Sequence, residues 1–187
     1  MRIEIDASGW GLGVERIESP NQDERPAGCE VELAVIHAIS LPPDQFGGPG
    51  VMQLFCNTLD PAEHPYYQEI AHLRVSAHFF VRRDGRLIQF VPTTHRAWHA
   101  GQSTWRGRSR CNDFSVGIEL EGCDTQGFEE RQYQVLCALL AGLARRHPIV
   151  SVMGHSEIAP GRKTDPGPLF RWANLELALA GSGLVRA

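Results

Sequence analysis

The run VELAVIHAI, residues 31–39, constrains the fold more than any other stretch of the chain. It is almost continuously apolar and rich in β-branched residues, so as a strand it must be covered on both faces. Strands of that kind belong to sheets with helices on either side. The run carries His37 near its end and leads into LPPDQFGGPG (41–50), whose prolines and glycines demand a loop. An ionisable imidazole is thereby delivered to the C-terminal end of a buried strand, where helix-flanked sheets tend to form crevices.

The other segments fit the same architecture. VMQLFCNTL (51–59) is compatible with a short helix ended by Asp60-Pro61. RVSAHFFVRRDGRLIQFVP (74–92) reads as a β-hairpin turning at Asp84-Gly85. In FSVGIELEG (114–122), Val116, Ile118 and Leu120 point one way and Gly117, Glu119 and Glu121 the other. EERQYQVLCALLAGLARRH (129–147) is an amphipathic helix with Tyr133, Leu136, Leu140 and Leu143 on one face. Acids lead it, and Arg145, Arg146 and His147 close it, as the helix dipole favours. FRWANLELALA (170–180) reads as a C-terminal helix, and the polar first thirty residues as an extended surface lead-in. The predicted fold class is α/β (α+β): a single domain over 1–187, with a central mixed β-sheet flanked by helices and residues 1–16 lying on the surface.

Charge and cysteine usage narrow the function. A net charge of −4 argues against non-specific nucleic-acid binding. Locally, eight arginines and one acid lie between Arg74 and Arg110, which fits either a solvated face or a wall for an anionic ligand. The five scattered cysteines form no C-x-x-C pair and suit free thiols in a reducing compartment. With no apolar leader and no run of membrane-spanning length, the expected location is the cytoplasm, with no membrane partner.

The densest chemistry lies in GHSEIAPGRKTDPG (154–167), which its glycines and prolines keep from being a continuous helix or a central strand. Most of the eight histidines have a structural explanation. His64 sits in a polar loop, His147 at a helix end, and His72 and His78 flank the first hairpin strand. His95 and His99 are four apart, a spacing that suits a helical metal pair, but Pro92 and Gly101 make a helix there doubtful. His37, His155 and Asp165 form a different set, offered from strand ends and a loop. Three such ligands leave a fourth tetrahedral position open, as in catalytic zinc sites, although non-haem iron uses a similar triad. Lys163, the one lysine beside seventeen arginines, lies two residues from Asp165 and can stabilise an oxyanion. Glu119 is the candidate proton acceptor, on a strand face that Gly117 leaves open, and Glu121 is its competitor.

VIHAISLPPDQFGG, HLRVSAHFFVRRDG, RAWHAGQS, RCNDFSVGIELEG and GHSEIAPGRKTDPGPLF, taken together and in order, resemble the AmpD family of zinc amidases. The resemblance covers about residues 17–175. That family is related to phage lysozyme-type amidases and peptidoglycan recognition proteins. The resemblance implies one catalytic Zn2+ on His37, His155 and Asp165, with Glu119 activating water and Lys163 stabilising the oxyanion. It implies substrate contacts at Arg74, Trp98 and Arg110. The implied activity is cleavage of the amide between the lactyl group of 1,6-anhydro-N-acetylmuramic acid and L-alanine, in small cytosolic anhydromuropeptides of peptidoglycan recycling. No nucleic acid or obligate protein partner is implied. Alternatives are a non-catalytic muropeptide-binding module and an amidase acting on intact peptidoglycan. One departure is Ala38, where the family usually has Asn.

Overall fold

The computed structural model describes residues 1–179 and 185. The strands are β1 (Glu15–Arg16), β2 (Gln22–Glu24), β3 (Leu33–Ile39), β4 (Phe79–Val81), β5 (Leu87–Gln89), β6 (His95–Ala97), β7 (Thr104–Trp105), β8 (Arg108–Ser109), β9 (Ser115–Glu121) and β10 (Ser151–Gly154). The helices are α1 (Gly50–Phe55), α2 (Pro65–Ile70), α3 (Glu130–Arg146), α4 (His155–Ile158) and α5 (Trp172–Leu179). Six strands make one mixed sheet in the order β1-β5-β4-β9-β3-β10. The predicted α/β architecture, a mixed sheet flanked by helices, is what forms.

β3 lies within the run 31–39, and the apolar character of that run has a direct cause. It lies between two parallel neighbours, β9 and β10, and every residue from Leu33 to His37 is buried. On one face Ala34 and Ile36 join Val116, Ile118 and Leu120 of β9 under α3. The predicted helical stripe is the buried one: Tyr133, Leu136, Leu140 and Leu143 all pack into this core. Each such side chain removed from water contributes roughly 1.5–3 kcal/mol. Glu129 and Gln132 cap α3 reciprocally, satisfying donors that the first turn would otherwise leave orphaned.

Two separate apolar clusters share the opposite face. Phe80, Ile88 and Phe90 pack with Val51, Leu54 and Phe55 of α1 and Tyr67 of α2. Leu33, Val35 and Met153 pack with Trp105, Phe114 and Ile158. His37 and Glu119 emerge on this same face, directly opposite one another in the β3–β9 register.

The hairpin forms as read, with β4 and β5 antiparallel and Gly85 in the turn at φ 87°. Three expectations shift. The N-terminal segment is more than a surface lead-in: Ile3 is buried against α3, and Glu15–Arg16 adds a parallel edge strand to β5. The helix expected over 51–59 stops at Phe55, before Asp60-Pro61. The C-terminal helix is seen as Trp172–Leu179, and residue 180 of the expected range lies outside the described residues. No helix among the described residues is long and apolar enough to cross a membrane. The five cysteines are free thiols.

Candidate active site

Two chain segments build the centre of the site. β3 presents His37, and the turn from β10 into α4 presents His155. The loop after α4 bends at Gly161 (φ 75°), and the Asp165 carbonyl accepts the Ser156 N–H at 2.9 Å. That backbone bond closes the loop and sets Asp165 beside His155. The result is a triangle of donor atoms: His37 Nδ1 and His155 Nδ1 lie 2.9 Å apart, and Asp165 Oδ2 lies 3.1 Å from each. These three residues are the group among the described residues that can hold a metal ion.

Protonation supports that use. Burial pushes His37 down to about 4, so its imidazole is neutral at physiological pH. Burial alone would raise the Asp165 carboxyl, but the His155 and His37 rings set against it hold it well below the usual carboxylate range. Neutral imidazoles and an ionised carboxylate are the ligand forms that a metal requires. The outer nitrogens are also engaged. His155 Nε2 donates to the Ala100 carbonyl at 3.2 Å, and His37 Nε2 lies 2.9 Å from His99 Nδ1.

Glu119 and Glu121 share a strand face but differ in their surroundings. Glu121 is buried and accepts the Gly47 N–H at 2.6 Å and the Arg83 N–H at 3.0 Å. It ties the loop after β3 to the hairpin and is spoken for. Glu119 places Oε1 4.0 Å from His37 Nδ1, and its Oε2 is buried with no hydrogen-bond partner among the described residues. Burial raises the Glu119 carboxyl well above the ordinary range; the Asp165 charge adds to this and Lys163 opposes it. A lone carboxylate oxygen of raised basicity beside a ligand triangle can accept and return a proton.

A cavity of about 620 Å³ opens over these residues and runs along the sheet face. Lys163 and Trp98 line it, together with Ile39, Leu54, Ile70 and Val75 on the apolar side. Trp98 is held by Nε1 donating to Asp23 Oδ1 at 3.1 Å. Arg74 and Arg110 lie outside the lining. Arg74 donates to the carbonyls of Ala71, His72 and Leu73, and Arg110 pairs with Asp113 at 3.2 Å while its side chain stays 69% exposed. Most of the basic segment serves structure, since Arg82, Arg83, Arg86, Arg96, Arg108 and Arg110 each pair with an acid. Ala38 borders the cavity but packs against the α3 side of the sheet, facing away from His37.

The expected reason for Gly117 is corrected by the structure, and the doubt over a helical His95–His99 pair is upheld. Gly117 does not leave open access, because the His99 ring occupies the space where its side chain would be. His95 and His99 do not form a helical pair: His95 is in strand β6 and bonds Gln22, while His99 turns to His37. A glycine inside a β-branched strand was the available signal, since it marks close approach by another group. Arg162, which the sequence left without a role, donates to the carbonyls of Ala100 and Gln102 at 2.6 and 2.7 Å. It thereby clamps the backbone that holds His155.

Known proteins carry the same arrangement of chain. The amidase AmpD of Escherichia coli K12 is 52% identical over 174 residues, covering 92% of this chain and 95% of its own. A crystal structure of an AmpD selenomethionine derivative superposes with a TM-score of 0.90 at 52% identity, covering 93% of this chain and 98% of that one. E. coli AmiD, solved with anhydro-N-acetylmuramic acid-L-Ala-D-γ-Glu-L-Lys, is 31% identical with a TM-score of 0.59 over 94% of this chain and 65% of its own. The profile of the N-acetylmuramoyl-L-alanine amidases matches residues 27–168. That span begins before β3 and ends just beyond Asp165, taking in the whole ligand triangle and Glu119, and so this chain belongs to the N-acetylmuramoyl-L-alanine amidase family.

Proposed function

We propose that this enzyme hydrolyses the amide between the lactyl group of 1,6-anhydro-N-acetylmuramic acid and L-alanine in small anhydromuropeptides, using one zinc ion held by His37, His155 and Asp165. The reading is carried by the convergence of three donor atoms within 3.1 Å of one another, next to the unpartnered Oε2 of Glu119. Two nitrogens and one carboxylate oxygen are a donor set that zinc accepts while keeping a position open. The names of the similar amidases support the substrate class, and the free cysteines suit a cytoplasmic place in peptidoglycan recycling.

Zinc bound there supplies Lewis acidity at the scissile carbonyl and lowers the pKa of water towards about 7. The protein's own groups do the rest. Glu119 Oε2 takes a proton from the attacking water and returns it to the L-alanine nitrogen as the C–N bond breaks. Lys163, exposed on the cavity wall, donates to the oxyanion that develops on the carbonyl oxygen. The Trp98 face receives the sugar, and the Arg74 and Arg110 guanidinium groups meet the carboxylates of the stem peptide.

The test is mass spectrometry after incubation with anhydromuramyl-tripeptide, with and without a chelator. Chelator-sensitive release of free peptide is the expected result. Zinc-loaded protein that binds the muropeptide without cleaving it would make this a binding module. Faster cleavage of intact peptidoglycan than of the anhydro substrate would move the enzyme to the cell wall.

A further inference from the structure

A neutral imidazole has one bare nitrogen, and the partner of its other nitrogen decides which one that is. For His155 the matter is settled locally. Its Nε2 faces the Ala100 carbonyl, which can only accept, and Arg162 Nη2, 3.4 Å away, spends its two protons on the Ala100 and Gln102 carbonyls, so in the neutral ring Nε2 carries the proton and Nδ1 is bare. For His37 it is not, because Nε2 faces the Nδ1 of a second imidazole, His99, which could donate or accept.

The direction is fixed two bonds further on. The Ser115 hydroxyl donates to the Cys111 carbonyl at 2.6 Å, which commits its one proton. Ser115 Oγ must then accept from His99 Nε2, 3.1 Å away. His99 Nε2 therefore carries the proton and His99 Nδ1 is bare. It accepts from His37 Nε2–H, and the lone pair of His37 is left on Nδ1, aimed at His155 Nδ1 and Asp165 Oδ2. If the chain ran the other way, a proton would sit on His37 Nδ1, in the middle of the ligand triangle.

We propose that His99 is a positioning residue: it fixes the tautomer of His37 through a one-way chain from His37 through His99 and Ser115 to the Cys111 carbonyl. Its placement is built into the fold. Gly117 makes room for the ring, and Asn112 Oδ1 accepts the N–H groups of both His99 and Ala100, at 3.2 and 2.7 Å. One dipeptide thus serves both histidines, His37 through the His99 side chain and His155 through the Ala100 carbonyl. The neighbouring Trp98 lines the cavity.

The inference rests on the zinc reading for its purpose, but its first readout does not. In metal-free, 15N-labelled protein at neutral pH, long-range 1H–15N spectra should show His37 and His99 both protonated at Nε2. His99→Leu removes the acceptor, so the His37 spectrum should shift towards mixed tautomers. Zinc affinity, measured by chelator competition, should fall about 10–100-fold. His99→Asn, whose Oδ1 stands where the ring Nδ1 stood, should restore most of both. A folded His99→Leu variant with an unchanged His37 spectrum and wild-type zinc affinity overturns the proposal. Should that variant not fold, Ser115→Ala takes its place: loss of the pure Nε2–H form of His99 supports the chain, and unchanged spectra at both histidines overturn it. Wild-type protein that binds no zinc would overturn the metal reading alone, since the tautomers are read without metal.

Discussion

Glu119 and Glu121 lie two residues apart on one face of β9, yet only Glu121 has its carboxylate taken up by backbone N–H groups, those of Gly47 and Arg83. Glu119 keeps a buried oxygen without a partner among the described residues, 4.0 Å on its other side from His37. The catalytic assignment follows from that difference.

Glu119→Gln removes the proton carrier and keeps the shape. Turnover should fall roughly 10²–10⁴-fold, the usual worth of general acid–base help, while zinc affinity stays near wild type. Steady-state assays paired with zinc titration check this. Turnover close to wild type would end the assignment.

Glu121→Ala should act on stability instead. It strands two backbone donors and leaves Arg82, 3.8 Å away, without its acid. Hydrogen bonds to a charged acceptor are worth roughly 1.5–3 kcal/mol each, so denaturant melts should show a loss of at least about 2 kcal/mol. Zinc affinity of the folded fraction should change little by comparison.

Gly117→Ala puts a methyl group into the His99 ring. The ring has to move, so zinc affinity should drop while the strand itself tolerates alanine. Competition with a chromophoric chelator would detect it. An unaltered affinity would mean that the ring relocates without loss to His37.

Stability should decline as pH falls through the histidine range. Burial, with help from the charges of Arg146 and Arg25, pushes His147 down to about 4 from 6.5. Between those values the unfolded chain binds the extra proton, so stability is complete above about pH 6.5 and is lost as pH falls towards 4, by at most about 1.4 kcal/mol per pH unit for one proton. Buried His78, also lowered by burial, acts in the same direction. His147→Gln keeps a polar partner for Thr93 Oγ1 and should flatten the profile below pH 6.5. Parallel melts from pH 4.5 to 8 would show whether it does.

Zinc should stabilise the wild type but not Asp165→Ala. At 100-fold excess over Kd, binding to the native state alone adds about 2.7 kcal/mol. Equal thermal shifts in both proteins would place the metal elsewhere.

The sequence by itself determined the elements and the cast of reactive residues. The short apolar run 31–39, rich in β-branched residues and ended by a Pro/Gly loop, reads as a strand covered on both faces, and the α3 stripe as one side of a core helix, because both patterns are local properties of the backbone. The same holds for the Asp-Gly hairpin turn. His37, His155, Asp165 and Glu119 stood out as candidates because strand ends, loop bends and residue types are written along the chain. What the tertiary structure alone decided was which polar group meets which. Glu121 is structural because a loop 74 residues earlier folds onto it. Most of the arginine-rich segment is paired because distant acids come to it. His99 faces His37 because Gly117, 18 residues later, leaves space for its ring. Hydrogen bonds and ion pairs act over about 3–4 Å in space whatever the separation along the chain, and no periodicity encodes them.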